Sequence, residues 1–298
     1  MTKCDLFDII LENRGALFLV NDGGNGVSRI ILVTSFKGGV GKTTVSANLA
    51  ACFAMSGRKV LVCDGDLESR CLDMVLGADN QPLFNICDAV KGTCELSAAV
   101  AKTKYGDNLF FMPAPAFYPE ALQTTPTDEI FNEESLKKFI GEASANYEYV
   151  IFDLPARPDR LYRSLVPLSE TVIVVSSHTS VSVRAAEKTA IAVGELCENK
   201  RTPELGLVVN TFRPSGAARG ENAGLYDIIS KTKIPLLGVI PYDRQMAQAQ
   251  EKGILACDVA GGKTPFWKAV NNIAARLEGV NVKLLEGIRL KVKKSELF

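Results

Sequence analysis

Residues 29–44 read RIILVTSFKGGVGKTT. Arg29–Thr34 is a short apolar run rich in β-branched residues, which fits a strand. Behind the glycines a helical pattern opens at Thr43 and continues to Ser56. The turn satisfies G-x-x-x-x-G-K-[ST], with Phe36, or Ser35 beside it, in place of the leading glycine. The residue types suit a triphosphate. Glycines let the backbone of Gly38, Gly39, Val40 and Gly41 curl so that successive N–H groups point into one concavity. The following helix, with Lys42, Thr43 and Thr44 in its first turn, aims its positive end at the same place. Lys42 supplies a point charge for the β- and γ-phosphates, and the Thr43 hydroxyl is a hard oxygen ligand for Mg2+.

Working outward, apolar runs recur at Lys59–Cys63, Leu109–Met112, Tyr149–Asp153, Thr171–Val175, Leu205–Val209 and Leu236–Ile240. They lack polar alternation, so they predict strands covered on both faces, as in a parallel sheet between helices. The helical candidates Glu133–Ala145, Val181–Cys197 and Pro265–Leu277 lie between or after them. The expected fold is α/β, a doubly wound, mostly parallel sheet flanked by helices, with ligands at the carboxyl ends of the strands. Acids fall at those ends. Val62-Cys63-Asp64-Gly65-Asp66 would place Asp64 and Asp66 on one face if the strand continued. Tyr149-Val150-Ile151-Phe152-Asp153 has the form of a Walker B strand, with Asp153 holding the magnesium shell through water. For Asp64 the plain alternative is a helix cap or a solvated loop acid.

The string KGGVGKTT, with lysine at its first position as well as its seventh, resembles the deviant Walker A motif of the MinD/ParA ATPases, and residues 67–77 (LESRCLDMVLG) resemble the MinD branch. The likeness runs from Arg29 nearly to the end. It implies that Lys37 reaches across a dimer to the partner's nucleotide, that Asp66 orients the attacking water, and that Asp64 makes a water-mediated link to Mg2+. It further implies that Asn210 and the backbone from Pro241 to Asp243 contact adenine. The chain would then be an ATP hydrolase whose ATP-bound homodimer switches a positioning role, such as cell-division site placement. A ParA-type partition ATPase binding DNA and a flagellar-number regulator are the alternatives. Two departures stand out. MinD proteins commonly read Asp-Ser-Pro-Ala-Gly-Ile where this chain has Asp153-Leu154-Pro155-Ala156-Arg157-Pro158, and Ala185 and Ala186 replace acids that the family often turns toward regulatory protein partners.

Composition narrows the rest. With 298 residues, 47% of them hydrophobic, the chain can bury a substantial core, and 34 basic against 34 acidic side chains leave no overall bias toward nucleic acid or anionic lipid. DNA is therefore the less favoured partner. The eight cysteines include no C-x-x-C pair and read as reduced thiols of a cytoplasmic protein rather than metal ligands. No apolar run approaches the roughly 20 residues of a membrane span. The expected organisation is an extension over 1–28, an ATPase domain over 29–280, and a basic amphipathic segment over 281–298. Drawn as a helix, that segment gathers Leu284, Leu285, Ile288 and Val292 on one face and Lys283, Arg289, Lys293 and Lys294 around the rest, a pattern that suits an anionic membrane surface. The alternative is a solvated terminal helix or tail.

Overall fold

The computed structural model describes residues 28–78, 81–116 and 127–288; most of the N-terminal extension, and residues 289–298 of the basic segment, lie outside the described residues. In chain order the strands are β1 (Arg29–Thr34), β2 (Val60–Asp64), β3 (Ala101–Lys102), β4 (Leu109–Met112), β5 (Tyr149–Asp153), β6 (Thr171–Ser176), β7 (Glu204–Phe212) and β8 (Leu236–Pro241). They form one sheet in the order β3-β4-β2-β5-β1-β6-β7-β8. Only β3, which the sequence did not signal, runs antiparallel, to β4.

The helices are α1 (Lys42–Met55), α2 (Leu72–Leu76), α3 (Ile86–Lys91), α4 (Thr127–Ile130), α5 (Glu133–Asn146), α6 (Arg160–Leu165), α7 (Ser180–Leu196), α8 (Pro214–Ala218), α9 (Leu225–Thr232), α10 (Arg244–Gln250) and α11 (Pro265–Leu277). Residues 213–224 combine Arg, Pro, Ser and Gly, a composition that predicts an exposed loop, yet they contain the short α8; Pro214 at its first position costs nothing there because that N–H has no intrahelical partner.

The apolar strands are explained by two core layers, one on each face of the sheet. Along β1, Ile30 and Leu32 pack into the layer with Phe139, Leu161 and Val183, while Ile31 and Val33 pack into the layer with Leu49, Phe53 and Ile273. Neither parity of the strand meets water, so neither can be polar. α1 is covered nearly all round, by the sheet, α2 and α11, and its buried Ala47, Ala50, Ala51 and Ala54 allow that close approach.

At the C-terminus, residues 284–287 form a turn rather than a helix, and Gly287 has φ +69°. Leu284 is only 2% exposed and belongs to the core. Arg276 Nη1 donates to the Val282 carbonyl at 2.9 Å and Asn272 Nδ2 to that of Glu286 at 3.0 Å. An amphipathic helix therefore does not run through Leu284, Leu285 and Ile288, because burying Leu284 and fixing the backbone to α11 is the better use of those residues.

Candidate nucleotide site

The glycine turn between β1 and α1 sits at the carboxyl edge of the sheet, beside the neighbouring ends of β5 and β6. Phe36 needs no glycine conformation. Its ring meets Tyr162 of α6 edge-on at 5.6 Å, and its N–H donates to Thr189 Oγ1 of α7 at 3.2 Å, so the motif's departure from glycine is an anchoring contact. Gly41, in contrast, is required: its φ is +91°, and a Cβ there would fall 2.3 Å from Asn210 Nδ2.

Two cavities flank Lys42. The smaller, about 340 Å³, is bounded by the turn (Gly39 to Thr44), the ends of β7 and β8, and α10. The structure brings Asn210, Pro241 and Asp243 together there. Asn210 is a brace as well as a lining residue. Its Nδ2 donates to the Val40 carbonyl at 2.8 Å and its Oδ1 accepts the Thr211 N–H at 2.8 Å. Asp243 caps α10 through the Gln245 N–H at 2.9 Å. Three features here were not anticipated. Thr211 holds φ +52°, an unfavourable conformation for a β-branched residue, at an irregularity in the β7–β8 pairing. Arg213 lies 3.7 Å over the ring of Tyr242. Cys71 lines both cavities.

The larger cavity, about 750 Å³, is lined by Gly38, Gly39, Lys42 and Thr43 together with Asp66 and the Pro155–Arg160 loop. Lys42 is buried, whereas Lys37 is exposed with its Nζ 2.9 Å from the Gly38 carbonyl. Asp153 is 2% exposed, and its Oδ1 accepts Ser46 Oγ at 3.0 Å. Burial pushes its carboxyl up to about 6, against the opposing pull of Thr43, Lys42 and Ser46. Ser46 went unnoticed in the sequence, although it stands four residues after Lys42, where a helix returns to the same face.

β2 ends at Asp64, so Asp64 and Asp66 do not share a strand face. Gly65 follows, its N–H donating to the Asp153 carbonyl at 2.8 Å, and that close approach requires glycine because a Cβ there would meet the Asp153 carbonyl and the Leu154 side chain at 2.9 Å. Asp64 lines neither cavity. It is fully buried, with Oδ1 accepting the Asp66 N–H and Oδ2 the Leu72 N–H, each at 3.1 Å. Burial raises its carboxyl well above the usual range, and neighbouring Asp153 adds to the rise. Asp66 itself is half-buried at the cavity edge, accepting the Ser69 N–H at 3.0 Å.

The chemistry fits a magnesium-bound polyphosphate. Magnesium takes hard oxygen ligands and keeps several waters, so an ion there would be held largely by substrate phosphates and water. Buried Asp153 beside the Thr43 hydroxyl offers the anionic side of such a shell.

This fold and site define a P-loop nucleotide-binding protein of the doubly wound α/β class. The model of the CobQ/CobB/MinD/ParA nucleotide binding domain matches residues 31–256, and the chain belongs to that family. Within it the chain is similar to septum site-determining MinD proteins. It is 34% identical to that of Bacillus subtilis over 256 residues, 85% of this chain and 90% of the relative. It is 32% identical to that of Synechocystis over 260 residues, 87% and 93%. Among solved structures, the MinC:MinD cell division protein complex of Aquifex aeolicus superposes with a TM-score of 0.73 at 28% identity, covering 86% of this chain and 98% of that one. The expected family and the doubly wound fold are thus both found.

Proposed function

We propose that the chain is an ATP-driven dimerisation switch of the MinD type, which hydrolyses ATP to ADP and phosphate and uses the bound nucleotide to place itself for division-site selection. The observation that carries this reading is the charge arrangement around the larger cavity. Lys42 is buried against the glycine turn, Asp153 is buried beside Thr43, and Lys37 is left exposed on the rim. A buried lysine and backbone N–H groups suit the β- and γ-phosphates, and Mg2+ would neutralise further charge on their oxygens. Asp66, at the cavity edge and half-buried, is suited to orient water toward the terminal phosphate. Lys37, exposed and outside the cavity lining, with its Nζ donating to the Gly38 carbonyl, is suited to reach a second copy's nucleotide. Adenine fits the smaller cavity, against Asn210 and the Pro241–Asp243 backbone.

We also assign 289–298, with its basic side chains, to an anionic membrane surface, and the exposed side of α7 to a regulatory protein. No helix among the described residues is long and apolar enough to cross a membrane. On α7, Ala186 is fully buried, so a partner would have to read other side chains than in relatives with acids at these positions. The test is size-exclusion chromatography with multi-angle light scattering, followed by vesicle sedimentation. With Mg2+ and ATP the intact chain is expected to elute as a dimer and to pellet with anionic vesicles, and Lys37→Ala to stay monomeric. A chain ending at Ile288, which keeps Leu284 in the core, should dimerise yet remain in the supernatant. A wild-type monomer in saturating ATP would sink the switch; pelleting of the shortened chain would sink the membrane assignment.

A further inference from the structure

We propose that Arg157 reads the terminal phosphate of the bound nucleotide and so makes the chain prefer a nucleoside triphosphate to the diphosphate. This rests on the nucleotide-binding reading above. Arg157 stands four residues beyond Asp153, in the loop that lines the larger cavity together with Gly38, Gly39, Lys42 and Thr43. It occupies the position where the related pattern carries glycine, which has no side chain to offer.

The loop backbone is braced on both sides of that residue. Pro155 and Pro158 bracket it and restrict its backbone. Leu154 N–H donates to the Val33 carbonyl at 3.0 Å, tying the loop's start to β1. At the other end Asp159 caps α6 by accepting the Tyr162 N–H at 2.8 Å, its own N–H donates to the Arg157 carbonyl at 2.9 Å, and Arg163 Nε donates to the Pro158 carbonyl at 3.1 Å. Such bracing is more than an exposed loop arginine needs for solubility. The guanidinium is exposed and, among the described residues, forms no hydrogen bond or ion pair, although Asp66 and Glu68 line the same cavity. A planar fork of donors suits the paired oxygens of a terminal phosphate better than an ammonium does. Lys42, buried at the turn, serves the β-phosphate that ATP and ADP share as well as the γ-phosphate. Arg157, on a different segment of the same cavity lining, would serve the one that only ATP carries.

The experiment is titration calorimetry on the intact chain with Mg2+ and either a non-hydrolysable ATP analogue or ADP, for wild type, Arg157→Ala and Arg157→Lys. Arg157→Ala is expected to lose about tenfold in affinity for the analogue, as the loss of one charge-assisted contact implies, and to keep its ADP affinity. Arg157→Lys should recover part of the difference, because it keeps the charge and loses the fork. An unchanged ratio of the two affinities, or equal weakening of both, overturns the inference and leaves the nucleotide reading standing. Failure of wild type to take up either ligand overturns the nucleotide reading, and this inference with it.

Discussion

The carboxyl ends of β2 and β5 lie side by side in register, Asp64 against Asp153, and each closes an apolar strand with an aspartate. Both carboxylates are buried and both are pushed upward by that burial, yet they face different partners. Asp64 turns inward to the backbone, clamping the Asp66 and Leu72 N–H groups so that the chain folds back from the sheet into α2. Asp153 turns to side chains of the phosphate-binding helix, Ser46 and Thr43, with Lys42 close by. Identical residue types at the ends of adjacent strands thus divide into a brace and a ligand candidate. The division is decided by which element follows each strand: a glycine-led reversal after Asp64, and a proline-bounded loop along the cavity after Asp153.

The largest expected effect comes from Asp153→Asn. With preorganised charge removed from the site, hydrolysis should fall by about 10² to 10³-fold, read as phosphate release. The same change should stabilise the unliganded protein. The folded carboxyl is raised from its ordinary 3.8 to about 6, so the stability it contributes is complete below pH 4 and is lost as pH rises through 6. At about 1.4 kcal/mol per pH unit, ionised Asp153 costs the empty fold up to about 3 kcal/mol at pH 7. Denaturant melts of wild type and variant should therefore separate at pH 7 and converge near pH 4. A variant that is less stable at pH 7 would break the argument.

A smaller effect on chemistry is expected from Asp64→Ala. It removes a costly buried charge and also leaves two backbone donors without an acceptor, each worth about 1–3 kcal/mol, so global stability should move little. The amides of Asp66 and Leu72 should lose protection in hydrogen exchange, and hydrolysis should fall less than in Asp153→Asn. A loss of turnover as large as that of Asp153→Asn, with amide protection intact, would return Asp64 to the magnesium shell and erase the contrast between the two strand ends. The smallest effect belongs to Ser46→Ala, which removes one hydrogen bond to Asp153 while Thr43 and Lys42 remain. A change of about 1 kcal/mol in nucleotide binding is expected by calorimetry. A variant that loses as much turnover as Asp153→Asn would make Ser46 a ligand rather than a support.

How much could be read in advance differs between the strands and the site. β1, β4 and β5 matched their apolar runs residue for residue, because a strand covered on both faces writes its burial into every position. The two-residue β3 had no such record, being an edge strand with Ala101 and Lys102 partly exposed. The phosphate turn was legible because backbone curvature demands Gly41 and the phosphate chemistry demands Lys42, both within one short stretch. Asn210 was expected to face a base; that it also braces Val40, some 170 positions away, is a contact no local pattern encodes. The drawing of 281–298 as one helix missed the core position of Leu284 because its periodicity carries no information about the pocket waiting for it.

Sequence alone determined the class of fold and the strand–turn–helix unit, since each is dictated by neighbours a few positions apart. Tertiary structure decided the rest: which aspartate braces and which faces the phosphate helix, that Phe36 can replace a glycine by leaning on Tyr162, and that Arg157 lines the same cavity as Lys42. Those outcomes depend on groups that come within a few ångströms only when distant strands align, and the chain's order along its length does not record that proximity.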